Sequence, residues 1–278
     1  MKKPEGLDSV SIWRDDVSKG PYPPLGFVHV AEAELGNGDY FGLYWPLGRE
    51  AEEPVVCDML HDSWTLEPSF SSFSKFVEWL DANDWARGDI EFEDDGFGPK
   101  LFLDAKEKVA GNQTEAAINT LRKACASFPE ASDYWFALAG QLRRAGQIDE
   151  SLDAALAAFN AVWAFGFPSQ GVLRMLRSPA ALEHFPDDPV VQRAEQLTLD
   201  FGGRKENVNY PLLMECVETY LAQGRFVQGL SLLQNFAYMM RSETTAFQER
   251  QGFDLEAWQS DFSAKCETCL GDSRRFDG

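Results

Sequence analysis

The chain has 278 residues, 44% of them hydrophobic, enough for one large core or two modest ones. Its formal net charge of −20 makes approach to a nucleic-acid backbone or an anionic membrane surface cost Coulomb energy instead of releasing counterions, so a basic protein is the expected partner and nucleic acid and membrane are not. No run reaches the roughly 18 to 20 apolar residues that cross a bilayer, the start MKKPEGLDSV lacks an apolar stretch, and the five scattered cysteines spell no disulfide framework, which points to the cytoplasm.

In chain order, the proline-rich opening through Pro21, Pro23 and Pro24 predicts an irregular lead-in, because each proline fixes its backbone and removes a donor. GFVHVAEAEL and YFGLYWPL, separated by the turn sequence Gly36-Asn37-Gly38-Asp39, predict a β-hairpin. A third strand is expected at Glu53 to Leu60 and a shorter one at Ser63 to Leu66, after a turn at His61-Asp62, for three or four antiparallel strands. Pro68 and Ser69 then introduce a helix in which Phe73, Phe76, Val77 and Leu80 recur at helical spacing, with Ser71 or Ser72 placed to cap it. This helix should cover one face of the sheet. A boundary falls near residues 86 to 98, giving an α+β part over residues 1–95 and an all-α part over 96–278.

The second part reads as helix-loop-helix units with an internal repeat. Ala110-Gly111-Asn112 lines up with Ala145-Gly146-Gln147 at an offset of 35 residues, and Trp135, Leu138, Ala139, Leu142, Gly146, Ala155 and Ala158 resemble the pattern of tetratricopeptide repeats. A third unit is expected over Tyr210 to Met240 around Gly224, after a stretch broken by Pro168, Pro179, Pro186 and Pro189. Such repeats bury apolar faces against their neighbours and favour a binding scaffold over a catalytic pocket.

Charge is uneven along the chain. Residues 1 to 100 carry 8 Lys or Arg against 21 Asp or Glu, a net −13. Asp84, Asp89, Glu91, Glu93, Asp94 and Asp95 stand against the single Arg87, and these six are the candidate partner-binding residues. Their order does not follow a calcium-loop spacing, so a solvated or partner-facing rim is the reading. The sequence spells no phosphate loop, metal-ligand set or nucleophile elbow, and therefore predicts no catalytic residue, metal or cofactor. His29 falls inside an apolar strand pattern, His61 at a turn and His184 at a helix end. Cys266 and Cys269 share an apolar stripe with Leu255, Trp258 and Phe262, the place of core cysteines rather than zinc ligands.

LGNGDYFGLYWPLGREAEEPVVCDMLHDSWTLEPSFSSFSKFVEWL resembles the latter half of SUKH-superfamily domains, through Gly36, Asn37, Gly38, Asp39, Pro54, Val55, His61, Asp62, Phe73 and Phe76. The similar region as a whole runs from Leu25 to Leu80, and only about 24 residues precede it, fewer than that family's usual opening helices and strands occupy. The resemblance implies an immunity protein that neutralises a cognate toxin encoded by an adjacent gene. An acidic inhibitor complements a basic toxin independently of that likeness. The alternative expectation is an adaptor or chaperone-like scaffold that binds a peptide or a secretion component through the helical stack.

Overall fold

A computed structural model describes residues 1–33, 37–86, 94–202 and 206–271, with backbone alone for 13–17. Five strands, β1 (Ile12–Val17), β2 (Phe27–Val30), β3 (Tyr40–Tyr44), β4 (Val55–Leu60) and β5 (Thr65–Phe70), form an antiparallel meander in chain order. The expected hairpin is present as β2 and β3, with Phe27 opposite Tyr44 and His29 opposite Gly42. Gly42 is required there, since a Cβ would lie 2.1 Å from Cζ of Phe27, whose ring covers this position.

Two expectations for the sheet are corrected. The lead-in is not wholly irregular: Ile12 to Val17 pairs with β2 across a register shift that absorbs its irregular sequence, giving a fifth strand. Pro68 does not introduce the helix but lies inside β5, opposite Cys57, where the register slips against β4. β5 ends the sheet, and an edge with a bulge is where a strand tolerates proline.

Alternation along the strands buries both faces. Val28, Val30, Phe41, Leu43, Val56 and Phe70 point to one side, where α1 (Phe73–Ala82) lays down Phe73, Phe76, Trp79 and Leu80. The helix starts at Ser72, whose hydroxyl accepts from the Lys75 amide, as its position in the sequence predicts. Phe27, Tyr44, Cys57, Met59 and Leu66 point to the other side and join the core of the helices that follow. The sheet is thus the middle layer of three.

The helices form hairpins: α2 (Gly98–Ala110) with α3 (Thr114–Ser127), and α4 (Ser132–Arg144) with α5 (Ile148–Asn160). After the short α6 (Gln170–Leu176), α7 (Pro179–His184) and α8 (Pro189–Arg193) come α9 (Asn209–Ala222) and α10 (Phe226–Arg241), the expected third hairpin. α11 (Thr245–Arg250) and α12 (Leu255–Leu270) follow.

The repeat registers at 34 residues rather than 35. The left-handed residue of the turn is Asn112 in the first hairpin (φ 57°) and Gly146 in the second (φ 77°). The next amide, Gln113 or Gln147, donates to the carbonyl five residues back, Lys108 or Leu142, at 2.9 Å in each case. Asparagine replaces glycine at the one position where it is tolerated best, so matching glycine to glycine shifts the alignment by one. Gly224 (φ 73°) closes α9 in the same way, with the Arg225 amide on the Tyr220 carbonyl at 2.9 Å. Trp135, one of the repeat-pattern residues, is half-buried against the core with its indole donating to the Pro129 carbonyl at 2.8 Å, and its neighbour Tyr134 is buried in that core.

Two buried carboxylates fix the helices. Glu130 accepts from the Tyr44 hydroxyl and the Val162 amide, both at 3.3 Å, and so ties β3 to the chain after α5. Asp188 caps α8 through the Val190 and Val191 amides and also receives the Tyr220 hydroxyl and the Arg225 guanidinium, the latter at 2.7 Å.

Candidate functional site

The described members of the expected acidic rim do not form one cluster. Asp84 ends α1, exposed and left-handed at φ 53°. Asp94 is half-buried at the opposite end of that helix, where it accepts from the Ser71 amide at 3.0 Å. Asp95 is exposed beside it. Asp89, Glu91 and Glu93 lie outside the described residues.

Asp84 sits where a helix normally ends in glycine, and the Trp85 amide completes the capping bond to the Leu80 carbonyl at 2.8 Å. Trp85 is itself left-handed at φ 60°, a conformation rare for a bulky residue and worth roughly 1 to 3 kcal/mol of strain. The strained turn leaves its indole 39% exposed, with Nε1 on the Asp81 carboxylate at 2.9 Å. An aromatic face beside Asp81 and Asp84 matches an incoming lysine or arginine by ring contact and charge together. The sequence offered the carboxylates; Trp85 was missed because nothing local marks it as exposed.

A second feature lies between the sheet and the C-terminal helices. The segment after β1 runs across α10 and α12, with the Leu25 amide on Gln234 at 2.8 Å, the Tyr22 carbonyl on Arg241 at 2.6 Å and the Gly20 carbonyl on Gln259 at 2.6 Å. It borders an open cleft of about 350 Å³ whose walls include Lys19, Tyr22, His29, Tyr40, Arg241 and Gln259. Arg241 also lines a neighbouring hollow of about 390 Å³ with Trp64 and Tyr238. Its guanidinium lies 4.7 Å from the Trp64 ring centre, and Tyr22 packs at 5.4 Å from Trp64 and 6.1 Å from Tyr238. Burial pulls the Arg241 pKa down and pushes that of Tyr22 far above the ordinary phenol value.

The histidines are accounted for by neighbours. His29 packs on Tyr40 with ring centres 3.8 Å apart, and His184 meets Asp153 at 2.9 Å. His61, between β4 and β5, contacts Asp39 through Nδ1 at 2.8 Å and through its amide at 2.9 Å. That pairing raises the His61 pKa and holds the Asp39 carboxyl down at about 2. Cys266 is buried in the core beside Phe262, while Cys269 is only partly covered. Among the described residues, no group of three His, Cys, Asp or Glu could hold a metal ion, and no helix is long and apolar enough to cross a membrane.

Fold and site together define an antiparallel sheet closed on one face by a helix and on the other by helical hairpins, with an open cleft at their junction. The YfbP N-terminal domain model matches residues 12–89 and the YfbP C-terminal domain model residues 200–276. The YfbP protein of Escherichia coli (strain K12) is 45% identical over 278 residues, covering 99% of each chain. The chain belongs to the YfbP family.

Proposed function

We propose that this chain is a non-catalytic binding protein of the cytoplasm that captures a basic partner protein on the acidic turn ending α1. The observation that carries this reading is Trp85, held exposed at φ 60° beside Asp81 and Asp84. Strain maintained at an exposed aromatic has a use in recognition, and tryptophan is among the residue types that dominate binding energies. The net charge of −20 supports a basic partner, whose approach it accelerates. The finer proposal, an immunity protein that occludes a toxin encoded by an adjacent gene, rests on the likeness of residues 25–80 to SUKH domains.

The test is co-expression with the C-terminal domain of the neighbouring gene's product, followed by association kinetics on the purified pair. Cells are expected to survive only with this chain present. Asp84→Asn should slow association by about threefold at low ionic strength, and Trp85→Ala should speed dissociation by about tenfold or more. A harmless neighbour, or a toxic one that kills regardless of this chain, overturns the toxin reading. Unchanged kinetics in both variants overturn the surface. The three hairpins favour a second reading, an adaptor that takes a peptide or secretion component, and a peptide bound equally well by both variants would establish it.

A further inference from the structure

We infer that the cleft around Arg241 is a binding site for a small organic anion carrying a flat unsaturated ring, with the anionic group on the guanidinium and the ring on Trp64. This site is separate from the turn at Asp84 and does not depend on the partner reading.

The chain has 45 Asp and Glu against 25 Lys and Arg, yet among the described residues no carboxylate lines either hollow, while Arg241 and Lys19 do. Arg241 uses one Nη1 hydrogen on the Tyr22 carbonyl. Its Nε and Nη2 donors meet no acceptor among the described residues, and it makes no ion pair there. Arg225, by contrast, reaches the carboxylate of Asp188. A partly desolvated guanidinium with free donors in a fixed fork is complementary to a carboxylate or phosphate.

An aromatic wall stands beside the guanidinium. Trp64 is left-handed at φ 55° in the turn between β4 and β5, and 47% exposed. It is positioned by Arg241 on its face and by the Tyr238 hydroxyl on its carbonyl at 2.7 Å. Tyr238 thus holds its backbone while Arg241 and Tyr22 pack on the ring, and the part of the ring still open to solvent is a surface for a planar ligand to stack on. The two hollows, about 350 and about 390 Å³, have the size of small-ligand sites.

Calorimetric titration of the full chain tests this with indole-3-acetate and adenosine monophosphate, each beside its neutral counterpart, indole-3-acetamide and adenosine. At least one anion should bind about tenfold or more tightly than its neutral counterpart, as a charge-assisted contact to arginine requires; which anion does so identifies the head group. Arg241→Gln should abolish that preference, Arg241→Lys should restore part of it, and Lys19→Gln, at an exposed residue, should weaken binding without loss of fold. Asp84→Asn and Trp85→Ala should leave the titration unchanged, which separates failure here from failure of the partner surface. The inference is overturned if neither anion binds at millimolar concentration, if the neutral counterparts bind as well, or if folded Arg241→Gln and Lys19→Gln both titrate like the parent chain.

Discussion

His61 and Asp39 are joined across the turns at one end of the sheet, and their mutual effect on protonation has a defined sign. The Asp39 side chain accepts from His61, which favours the charged ring and raises its pKa above 6.5; the nearby Asp62 adds to this. The same bond, the His61 amide and Asn37 lower Asp39 from 3.8 to about 2. The histidine contribution is therefore complete below pH 6.5 and is lost as pH rises through the elevated folded value. The aspartate contribution is complete above pH 3.8 and is lost as pH falls towards 2. Asp39→Asn should cost the most stability between those limits, measured as the difference in melting temperature across pH. It should also return the His61 midpoint, followed by NMR, towards 6.5; a midpoint unmoved by the substitution would show that the pair does not couple in solution. His61 and Asp39 are both in the strand-turn pattern that resembles SUKH domains, but their pairing is 22 residues apart and no local spacing announces it.

Among the elements, α8 depends most on a single side chain. It is five residues long, too short to persist without outside support. Asp188, 3% exposed as a side chain, supplies that support by capping it and by accepting from Tyr220 on α9 and from Arg225 at the start of α10. Asp188→Ala removes the cap and strands a partly buried guanidinium, and should destabilise the chain by about 3 to 5 kcal/mol. Tyr220→Phe, which deletes one donor, should cost about 1 kcal/mol. Chemical denaturation of both variants checks the ratio; equal losses would mean that the charge on Asp188 contributes nothing beyond the hydroxyl bond. At this scale the sequence was most legible where chemistry is local. Ser72 capped α1 as its pattern demanded, and Gly146 and Gly224 marked their turns because a left-handed backbone favours glycine. It was least legible where a neighbour overrides propensity: Pro68 is a strand residue because β5 is an edge, and Asn112 stands in for a glycine.

Across the whole molecule, one continuous core joins Phe27, Tyr44, Cys57 and Met59 of the sheet to Phe128, Phe159, Trp163 and Leu213 of the helices. A fragment of residues 1–95 should therefore expose the second face of its sheet, lose fixed tertiary structure and bind hydrophobic dyes, whatever the strength of the Phe41, Phe70, Phe76 and Trp79 cluster on the first face. A sharp thermal transition for that fragment, with dispersed NMR signals, would refute the prediction. The Arg241 cleft belongs to this scale too. Arg241 and its partner Tyr22 are 219 residues apart, and Tyr238 and Trp64 are 174 apart, so no motif could have signalled the site. The acidic excess was visible in composition, while the described residues that line the cleft, Lys19 and Arg241 among them, come together only on folding.

The strap formed by Gly20, Tyr22 and Leu25 also sets a schedule. Its partners, Gln234, Arg241 and Gln259, follow it by 209 to 239 residues along the chain. As the chain emerges from the ribosome N-terminus first, the strap cannot be tied down until α10 and α12 are out. A chain that stopped before α10 would lack Gln234, Arg241 and Gln259 together, and so would leave the strap untied on a sheet already packed against the earlier helices.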